Sequence, residues 1–307
     1  MMRCPRCGRV YPNGAQFCHE CGTPLDYFEQ EESKAKKGAI GFLKAICYVI
    51  LMVAVQNMVS SVLVTAHLLA DPTLLMNDVP FEMLMDFTAD VIYSNYVMIL
   101  LVSHLVTILI VSLFFTIRRK NPLDEIGLRP MKWQLAPLCA LYGVALYIFI
   151  SLTIGFLPIP EQLLNDQNEM YAGIFDNTNI VVTILSTTVL TGIVEEMIFR
   201  GLAISRLKRG MSRGIAVAVS AVLFGLVHGT LLALCYATVL GIILGFLAER
   251  HNSILPTIIC HAFYNSVPFF LTTNDPFVIL TLYFTSIAVL LLGSYLLFRR
   301  PSADEAA

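Results

Sequence analysis

Three short segments of the sequence place polar side chains inside long apolar stretches. Their polar residues are Glu195, Glu196, Arg200, His228, His261 and Asn265. Burying an ionisable side chain in a membrane-spanning helix costs about 2.5 to 3.5 kcal/mol, and such residues usually mark function. These six side chains are therefore the candidate catalytic residues.

The spacing of these residues separates them by role. Glu196 and Arg200 lie four residues apart in T-G-I-V-E-E-M-I-F-R-G, so they share a helix face and can pair as opposite charges. Glu195 points about 100° away from its neighbour and is the freer carboxylate. In H-A-F-Y-N-S, His261 and Asn265 also lie four residues apart and face a common point.

A free carboxylate, two imidazoles and an amide could together hydrolyse a peptide bond. A buried Glu can accept a proton from water and direct hydroxide at an amide carbonyl. His and Asn side chains can orient that water or donate hydrogen bonds to the oxyanion that forms. No buried Ser or Cys is tied to these motifs, so hydrolysis by activated water is favoured over an acyl-enzyme route.

The same residues also suit a catalytic metal. Two His and a carboxylate or amide can bind a metal and leave one coordination position open. The H-E-x-x-H helix of the zincins is absent. The residues therefore leave open whether a metal takes part in catalysis.

A second cluster, at the N-terminus, has the spacing of a zinc site. Cys4, Cys7, Cys18 and Cys21 form two C-x-x-C knuckles, each followed by Gly. Zn²⁺ takes four thiolates in a tetrahedron, and a fold of about 25 residues needs a metal because it buries little core. We expect a structural zinc-ribbon that docks a partner or substrate and supplies no catalysis. Reactive thiols or disulfides are the alternative, which a reducing cytosol disfavours.

Six further Cys and His residues stand alone in the sequence. They are Cys47, Cys139, Cys235, Cys260, His67 and His104. A free Cys in an apolar segment behaves as a small hydrophobe. We expect ordinary packing or interfacial placement for all six.

Membrane-spanning helices are needed to position the candidate residues. Of the 307 residues, 57% are hydrophobic and 14% are charged, against about 25% charged in soluble domains, and the mean hydropathy is +0.73. A spanning helix needs about 20 mainly apolar residues. Eight segments have that character: 39–67, 91–117, 134–157, 180–203, 214–230, 232–249, 254–271 and 277–298. The prediction is an all-α polytopic membrane protein with about eight transmembrane helices and a small N-terminal zinc-ribbon.

The polar N-terminal part divides into two pieces. Residues 1–24 form the expected zinc-ribbon, and residues 25–38 are charged without periodicity, which predicts a mobile linker. Residues 39–300 form the transmembrane domain. No short apolar segment ends in a cleavage site, so we expect no removable signal peptide, and the first helix would serve as the targeting signal.

The positions of Lys and Arg indicate an orientation. With the N-terminus inside, every Lys and Arg outside the eight spans falls in a cytosolic segment, and the outer loops carry only acidic charges. This predicts an integral protein of a bacterial plasma membrane with both termini cytosolic. The net charge of −2 gives no reason to expect nucleic acid as a partner.

The three motifs resemble those of the CAAX protease and bacteriocin-processing family (CPBP, also called Abi). They are E-E-x-x-x-R at residues 195–200, F-x-x-x-H at residues 224–228 and H-x-x-x-N at residues 261–265, in the family's order. The similarity covers about residues 130–298. It implies an eight-helix intramembrane endopeptidase whose site opens toward the cytosol. Its substrates would be membrane proteins or peptides at the bilayer surface, including prenylated proteins cut near the C-terminus.

The resemblance also implies a role for each motif residue. Glu195 would activate water together with His228. His261 and Asn265 would stabilise the oxyanion, and the other two residues of the first motif would hold the site together. Whether members of this family are metalloproteases or glutamate-type proteases is contested. The residues of this sequence leave the same two alternatives open.

Two functions of other classes compete with the protease. One is a non-catalytic membrane scaffold or bacteriocin self-immunity protein with the same fold. The other is a proton-coupled transporter that uses the buried Glu pair as its proton site. The sequence lacks the two-half symmetry and the broken helix pairs expected of a transporter.

Overall fold

The protein is described by a computed structural model over residues 2–4, 6–11, 17–23, 25–75, 79–165, 167 and 179–299. Ten helices account for most of these residues. They are α1 (Leu25–Ala70), α2 (Phe81–Ser94), α3 (Tyr96–Ile117), α4 (Pro122–Glu125), α5 (Leu135–Phe156), α6 (Ile180–Leu207), α7 (Arg213–Leu226), α8 (Leu231–His251), α9 (Leu255–Ser266) and α10 (Pro276–Phe298). The predicted all-α polytopic membrane fold is confirmed.

Six of the described helices are long and apolar enough to cross a membrane: α3, α5, α6, α8, α10 and the part of α1 over Ala35–Ala70. The predicted count of eight is not confirmed. The fifth and seventh predicted spans are occupied by α7 and α9, which have 14 and 12 residues. At 1.5 Å per residue they reach about 21 Å and 18 Å, short of a hydrocarbon core about 30 Å thick.

Single residues end these two helices inside apolar sequence. Gly229, just beyond α7, has φ of 82°, a left-handed conformation that glycine adopts without steric cost and that stops a helix. After α9 the chain tightens into a 3-10 turn over Val267–Phe269, where Pro268 lacks the N–H that an α-helix would need. Hydropathy measures how apolar a segment is, and it does not show where a change of backbone conformation ends a helix.

The predicted linker is helical. Residues 25–38 form the first turns of α1, which runs without a break from Leu25 to Ala70. The segment is rich in Glu and Lys, which have high helix propensity. Extending an existing helix also avoids the cost of nucleating a new one. The backbone of this segment therefore follows the transmembrane helix.

Helix α6 lies at the centre of the bundle. Helices α1, α3, α7, α8 and α9 pack around it, and α5 and α10 form an outer layer behind α9. Helices α5 and α9 touch backbone to backbone, because a Cβ added at Gly143 would lie 2.0 Å from the carbonyl oxygen of Cys260. Small residues allow this close approach between membrane helices.

Charged side chains meet at one end of the bundle, called here the basic end. Arg206 Nη2 lies 2.6 Å from Glu125 Oε2, and Lys208 Nζ lies 2.6 Å from Glu249 Oε1. These pairs join the segment that follows α3 to the C-terminal end of α6, and the end of α6 to the C-terminal end of α8. Three segments predicted to lie on one side of the membrane are thus together in space.

The described N-terminal residues form a small antiparallel ladder. Strand β1 (Met2–Arg3) pairs with β2 (Val10–Tyr11), with Met2 opposite Tyr11 and Arg3 opposite Val10. The C-x-x-C knuckle of Cys4 and Cys7 lies between the two strands, and that of Cys18 and Cys21 follows β2.

Candidate active site

Helix α6 changes its winding on both sides of Glu195. Leu185–Leu190 and Glu196–Ala203 are π-helical, and Thr191–Glu195 between them is α-helical. The backbone N–H of Thr191 donates to the carbonyl of Ser186, five residues back, as a π-helical turn requires. The Thr191 hydroxyl donates to the same carbonyl. Short π-helical segments are frequent at functional sites, since they turn side chains away from a regular helix face.

Glu196 holds together two helices and three motif residues. Its Oε1 accepts a hydrogen bond from His261 Nδ1 at 2.9 Å and lies 2.9 Å from Arg200 Nη1. The Glu196 side chain is 0% exposed and that of Arg200 is 1% exposed. A charge pair this deeply buried costs solvation and needs compensating contacts, which His261 supplies from α9.

Arg200 has further contacts that fix its position. Its Nη2 donates to the carbonyl of Gly241 on α8 at 3.4 Å. Its guanidinium carbon lies 4.3 Å from the ring centroid of Phe224 on α7, within the range of a cation–π contact. The first motif is therefore tied to α7, α8 and α9 through Arg200 and Glu196.

Glu195 is the freer of the two carboxylates, as the sequence predicted. Its side chain is 14% exposed, and its Oε2 lies 3.6 Å from His261 Nε2. That separation exceeds a hydrogen bond, and Oε2 has no hydrogen-bond partner among the described residues. His261 thus stands between the two glutamates, with one ring nitrogen toward each.

His228 lies in the turn after α7, beside the aromatic residue of its motif. Its Nδ1 is 2.7 Å from the carbonyl of Phe224, so Nδ1 donates and Nε2 keeps a free lone pair. The two rings meet edge to face with centroids 4.6 Å apart. The Phe224 ring also lies 5.8 Å from the His261 ring. Phe224 therefore forms the apolar wall between the two histidines.

Asn265 faces α6 from the end of α9. Its Nδ2 donates to the carbonyl of Thr187 at 3.2 Å, within the first π-helical segment. The amide is partly exposed, and it has a second N–H and a carbonyl oxygen besides this bond. Asn265 therefore braces the widened turn of α6 that precedes Glu195.

The structure also places His104 of α3 near this cluster. His104 is 4% exposed and interacts electrostatically with Glu195. From the sequence, His104 is expected to be an ordinary packing residue, because it belongs to none of the three motifs. One feature of the sequence could have identified it as a site residue: His104 is an ionisable residue in an otherwise apolar span.

The candidate residues lie deep between the helix ends. Glu195 is about 16 Å along α6 from Arg206 at the basic end. Helix α7 starts at that end, where Arg213 Nε is 2.9 Å from Glu249 Oε2, and α9 starts there beside Ser253, whose hydroxyl donates to the carbonyl of Arg129. Both short helices end beside the site. Opening of the site toward the cytosol stays a prediction.

The four N-terminal cysteines are gathered as the zinc-ribbon prediction requires. Their sulfurs all lie within 4.8 Å of one another, with 3.6 Å between Cys4 and Cys21 and 3.4 Å between Cys7 and Cys18. A zinc tetrahedron with Zn–S bonds of about 2.3 Å has sulfurs about 3.8 Å apart. The geometry therefore fits a tetrahedral metal.

Each knuckle has the same backbone turn. The N–H of Gly8 donates to the carbonyl of Cys4, and that of Gly22 donates to the carbonyl of Cys18, both at 2.8 Å. Both glycines have positive φ, 77° and 66°, which a residue with a side chain rarely adopts. Burial raises the pKa of the Cys18 thiol, but the hydrogen bond to the Tyr11 hydroxyl and backbone N–H groups outweigh it and lower the pKa to about 6. A thiolate, the form that binds metal, is thereby favoured.

Among the described residues, these cysteines are the only group of three or more His, Cys, Asp or Glu with ligand atoms at metal-binding distances. Ion pairs and a hydrogen bond join Glu196 to Arg200 and His261, and Glu195 lies 3.6 Å from His261. His228 and Asn265 bond to the carbonyls of Phe224 and Thr187 and not to another of the six candidate residues. Among the described residues, the candidate residues do not bring three such ligand atoms to one point.

Residues 177–267 match the family model described as Type II CAAX prenyl endopeptidase Rce1-like. No curated protein and no solved structure gives a significant match. The matched segment contains all three motifs and includes α6, α7, α8 and α9. It supports an intramembrane endopeptidase in general, with a peptide or protein substrate. The resemblance drawn from the motifs is therefore confirmed for residues 177–267, which are similar to the Rce1-like CAAX prenyl endopeptidase model and lie within a multi-pass helical membrane protein.

Proposed function

We propose that the protein is an intramembrane endopeptidase in which Glu195 activates water for attack on a peptide bond. The observation that carries the proposal is the difference between two adjacent carboxylates. Glu196 is fully buried, and its Oε1 is paired with Arg200 and His261, whereas Glu195 is partly exposed and has neither oxygen hydrogen-bonded to another described residue. One carboxylate is thus committed to structure, and its neighbour is left available for chemistry.

The reaction uses one water molecule for each bond cut. Glu195 takes a proton from water, and the hydroxide oxygen bonds to the carbonyl carbon of the substrate. The resulting tetrahedral intermediate carries an oxyanion. The C–N bond then breaks as the proton passes from Glu195 to the leaving nitrogen, giving a carboxylic acid and an amine.

The two histidines would orient the water from different sides. His228 donates through Nδ1 to the carbonyl of Phe224, so its Nε2 can accept a hydrogen bond from water. His261 Nε2 lies 3.6 Å from Glu195, a gap that a bridging water can span. Asn265 has an amide hydrogen beyond the one given to Thr187 and would donate it to the oxyanion.

The steps proposed above use the motif side chains and water, and they do not require these side chains to bind a metal. Among the described residues, no three of their His or Glu ligand atoms lie at metal-binding distances from one another. A chelator test separates the two mechanisms. The protein tested is a variant that lacks the ribbon cysteines. If a chelator abolishes its cleavage activity and added Zn²⁺ restores that activity, the metal-assisted mechanism is favoured.

The proposed substrate is a peptide segment at the membrane, carried by a membrane protein or a lipidated chain. The matched family model concerns prenyl endopeptidases, which suggests an isoprenoid-modified C-terminus as the first substrate to examine. Short helices α7 and α9 end beside the site, so a chain that enters the bilayer could reach it without crossing a full span.

We also propose that the basic end of the bundle faces the cytosol. Lys and Arg are retained on that side of short loops, and the contacts between Arg206, Glu125, Lys208 and Glu249 show that several basic segments share one end. Both chain termini would then be cytosolic, in the plasma membrane of a bacterium. A reporter fused after Arg299 and found outside the cell would overturn this orientation.

For the N-terminal cysteines we propose zinc with a structural role. Four thiolates suit Zn²⁺, and a closed set of four leaves no position for a substrate. Cys4, Cys7, Cys18 and Cys21 would hold the metal, which would stabilise the two knuckles. The exposed surface of this module would dock a partner or substrate.

The test compares wild-type protein with Glu195→Gln in phospholipid liposomes. One probe is a peptide that ends in a farnesylated C-a-a-X sequence, and the second is the same peptide without the farnesyl group. We expect cleavage of the farnesylated probe by the wild type, seen by mass spectrometry, and a fall of kcat by about 10²-fold or more in Glu195→Gln. Glu82→Gln, an exposed carboxylate on α2, is the matched control and should cleave like wild type.

A comparison of membrane proteomes decides the alternatives. If neither probe is cut, new protein termini that depend on Glu195 in expressing cells would still support an endopeptidase with another substrate. If wild-type and Glu195→Gln cells have identical termini while both proteins are folded, the enzyme proposal fails. Binding of an intact membrane peptide by both proteins would then favour the scaffold.

A further inference from the structure

Helix α3 carries two buried polar atoms that have no hydrogen-bond partner among the described residues, His104 Nδ1 and Thr107 Oγ1. Their residues are 4% and 1% exposed. Three positions apart on a helix, they lie on one face. The neighbouring Ser103 is just as buried, yet its hydroxyl donates to the carbonyl of Leu100 at 3.1 Å. Within this buried stretch of α3, His104 and Thr107 are thus unpaired, whereas Ser103 is not.

This face of α3 lies against the candidate active site. Helix α3 packs along Leu185–Leu190 and Thr191–Glu195 of α6, and His104 interacts electrostatically with Glu195. Glu195 Oε2 is itself buried without a hydrogen-bond partner in the described part of the chain. Helix α3 and the segment Leu185–Glu195 that it packs against thus carry three polar atoms that are unpaired among the described residues, one of them on the proposed base.

Such atoms need a partner that the packing has to provide. A buried donor or acceptor without a hydrogen bond costs about 1–3 kcal/mol, and lipid cannot supply one. Interiors usually meet this need with buried water, which typically makes about three hydrogen bonds to otherwise unpaired groups. An imidazole nitrogen, a hydroxyl and a carboxylate oxygen offer that number of partners.

We propose that His104 and Thr107 bind water on the α3 side of Glu195, and that His104 is a positioning residue that orients the Glu195 carboxylate through this water. The inference rests on the proposed function, since it assigns the side from which Glu195 receives water. His261 contacts both glutamates from α9, and Arg200 pairs with Glu196 within α6. Glu195 is thus held between a water-bearing face on α3 and an imidazole on α9.

The test uses three variants of the full-length protein in liposomes. His104→Leu removes the polar ring, His104→Gln keeps a donor and an acceptor, and Ser103→Ala removes a buried hydroxyl that is already paired. With the farnesylated C-a-a-X peptide, we expect His104→Leu to lower kcat about tenfold or more, because small misplacements of a catalytic group are costly, with KM unchanged. His104→Gln should recover most of kcat, and Ser103→Ala should stay within about twofold of wild type.

A second readout does not depend on cleavage. The carboxyl band of Glu195 in the infrared spectrum is identified as the band lost in Glu195→Gln. It should shift in His104→Leu, because the water that hydrogen-bonds the carboxylate is lost, and stay in place in Ser103→Ala. A His104→Leu protein that folds, keeps wild-type kcat and leaves this band unmoved would overturn the inference.

Two further outcomes are decisive. If the His104→Gln and His104→Leu variants show equal losses of kcat and of thermal stability, His104 is a packing residue and the inference is wrong. If Glu195→Gln cleaves like wild type, the proposed function fails on its own, and the infrared band still decides whether His104 orients Glu195 through water.

Discussion

Glu196 and His261 join α6 to α9 through a hydrogen bond of 2.9 Å between Nδ1 and Oε1, buried on both sides. Arg200 lies 2.9 Å from the same carboxylate oxygen and stabilises its ionised form, so His261 Nδ1 must be the donor. The Nε2 of His261 is thereby turned toward Glu195. Glu196 thus sets the tautomer and the orientation of the imidazole that faces the proposed base.

Replacing Glu196 by Gln should destabilise the protein and abolish cleavage. The change leaves the buried Arg200 without a counter-charge, and breaking a buried pair in this way typically costs about 3–5 kcal/mol. It also frees the His261 ring to adopt the other tautomer. Chemical unfolding in mixed micelles, followed by circular dichroism, measures the loss.

The double variant Glu196→Gln with Arg200→Met is the control for this prediction. Removing both charges should recover much of the stability lost in the single variant, because an apolar replacement of a buried pair is often close to neutral. It should not recover cleavage, since His261 is no longer oriented. A single Glu196→Gln variant as stable as wild type would contradict the assigned role.

His228→Ala should lower kcat by about 10² to 10⁴-fold and leave KM nearly unchanged. The physical reason is the loss of the Nε2 lone pair that orients the water, while the substrate contacts are retained. Steady-state kinetics with the farnesylated peptide give both constants.

The matched control for His228 is His67→Ala. His67 makes the same kind of local contact, from Nδ1 to the carbonyl of Leu63 at 3.0 Å, but it is exposed at the end of α1. This variant should keep wild-type kinetics. Equal losses in both histidine variants would mean that the effect at position 228 is not specific to the site.

Gly143→Ala should reduce both stability and activity by forcing α5 away from α9. The new Cβ would lie 2.0 Å from the Cys260 carbonyl oxygen, against ordinary contacts of 3.4–4 Å. Overpacking of this kind costs about 1–3 kcal/mol. His261 follows Cys260 in the chain, so a shift of about 1 Å should lower kcat about 10²-fold.

Gly155 lies on the same helix with nothing within 4 Å of an added Cβ. Gly155→Ala should therefore be neutral or slightly stabilising, since Ala is the better helix former by about 1 kcal/mol. Thermal unfolding and kcat of both glycine variants check the pair of predictions. A Gly143→Ala protein that behaves like Gly155→Ala would show that α5 and α9 do not pack this closely.

Full-length protein should contain about one zinc ion per chain by inductively coupled plasma mass spectrometry. Cys4→Ser should remove most of it, because the tetrahedral set loses one thiolate. Cys47→Ser, at an exposed cysteine on α1, should leave the zinc content unchanged. Absence of zinc from wild-type protein purified without chelator would refute the ribbon assignment.

Several features follow from the sequence alone. Apolar length and the scarcity of charge determine a helical membrane protein, because backbone polar groups in lipid must be paired within each segment. The spacing of Glu196 and Arg200 predicts their ion pair, since helix geometry is local. The two C-x-x-C knuckles predict the cluster of Cys4, Cys7, Cys18 and Cys21 in the same way, because each turn brings two thiolates together.

Other features were decided only by the tertiary structure. The apolar sequence predicted that α7 and α9 would be long enough to span the membrane. Both helices are shorter, because the residues near Gly229 and Pro268 end them through backbone conformation, which hydropathy does not measure. The bond between His261 and Glu196, the brace of Asn265 on Thr187 and the approach of His104 to Glu195 join residues far apart in the chain. Such contacts depend on which helix faces meet, and spacing within one helix carries no information about the helix packed against it.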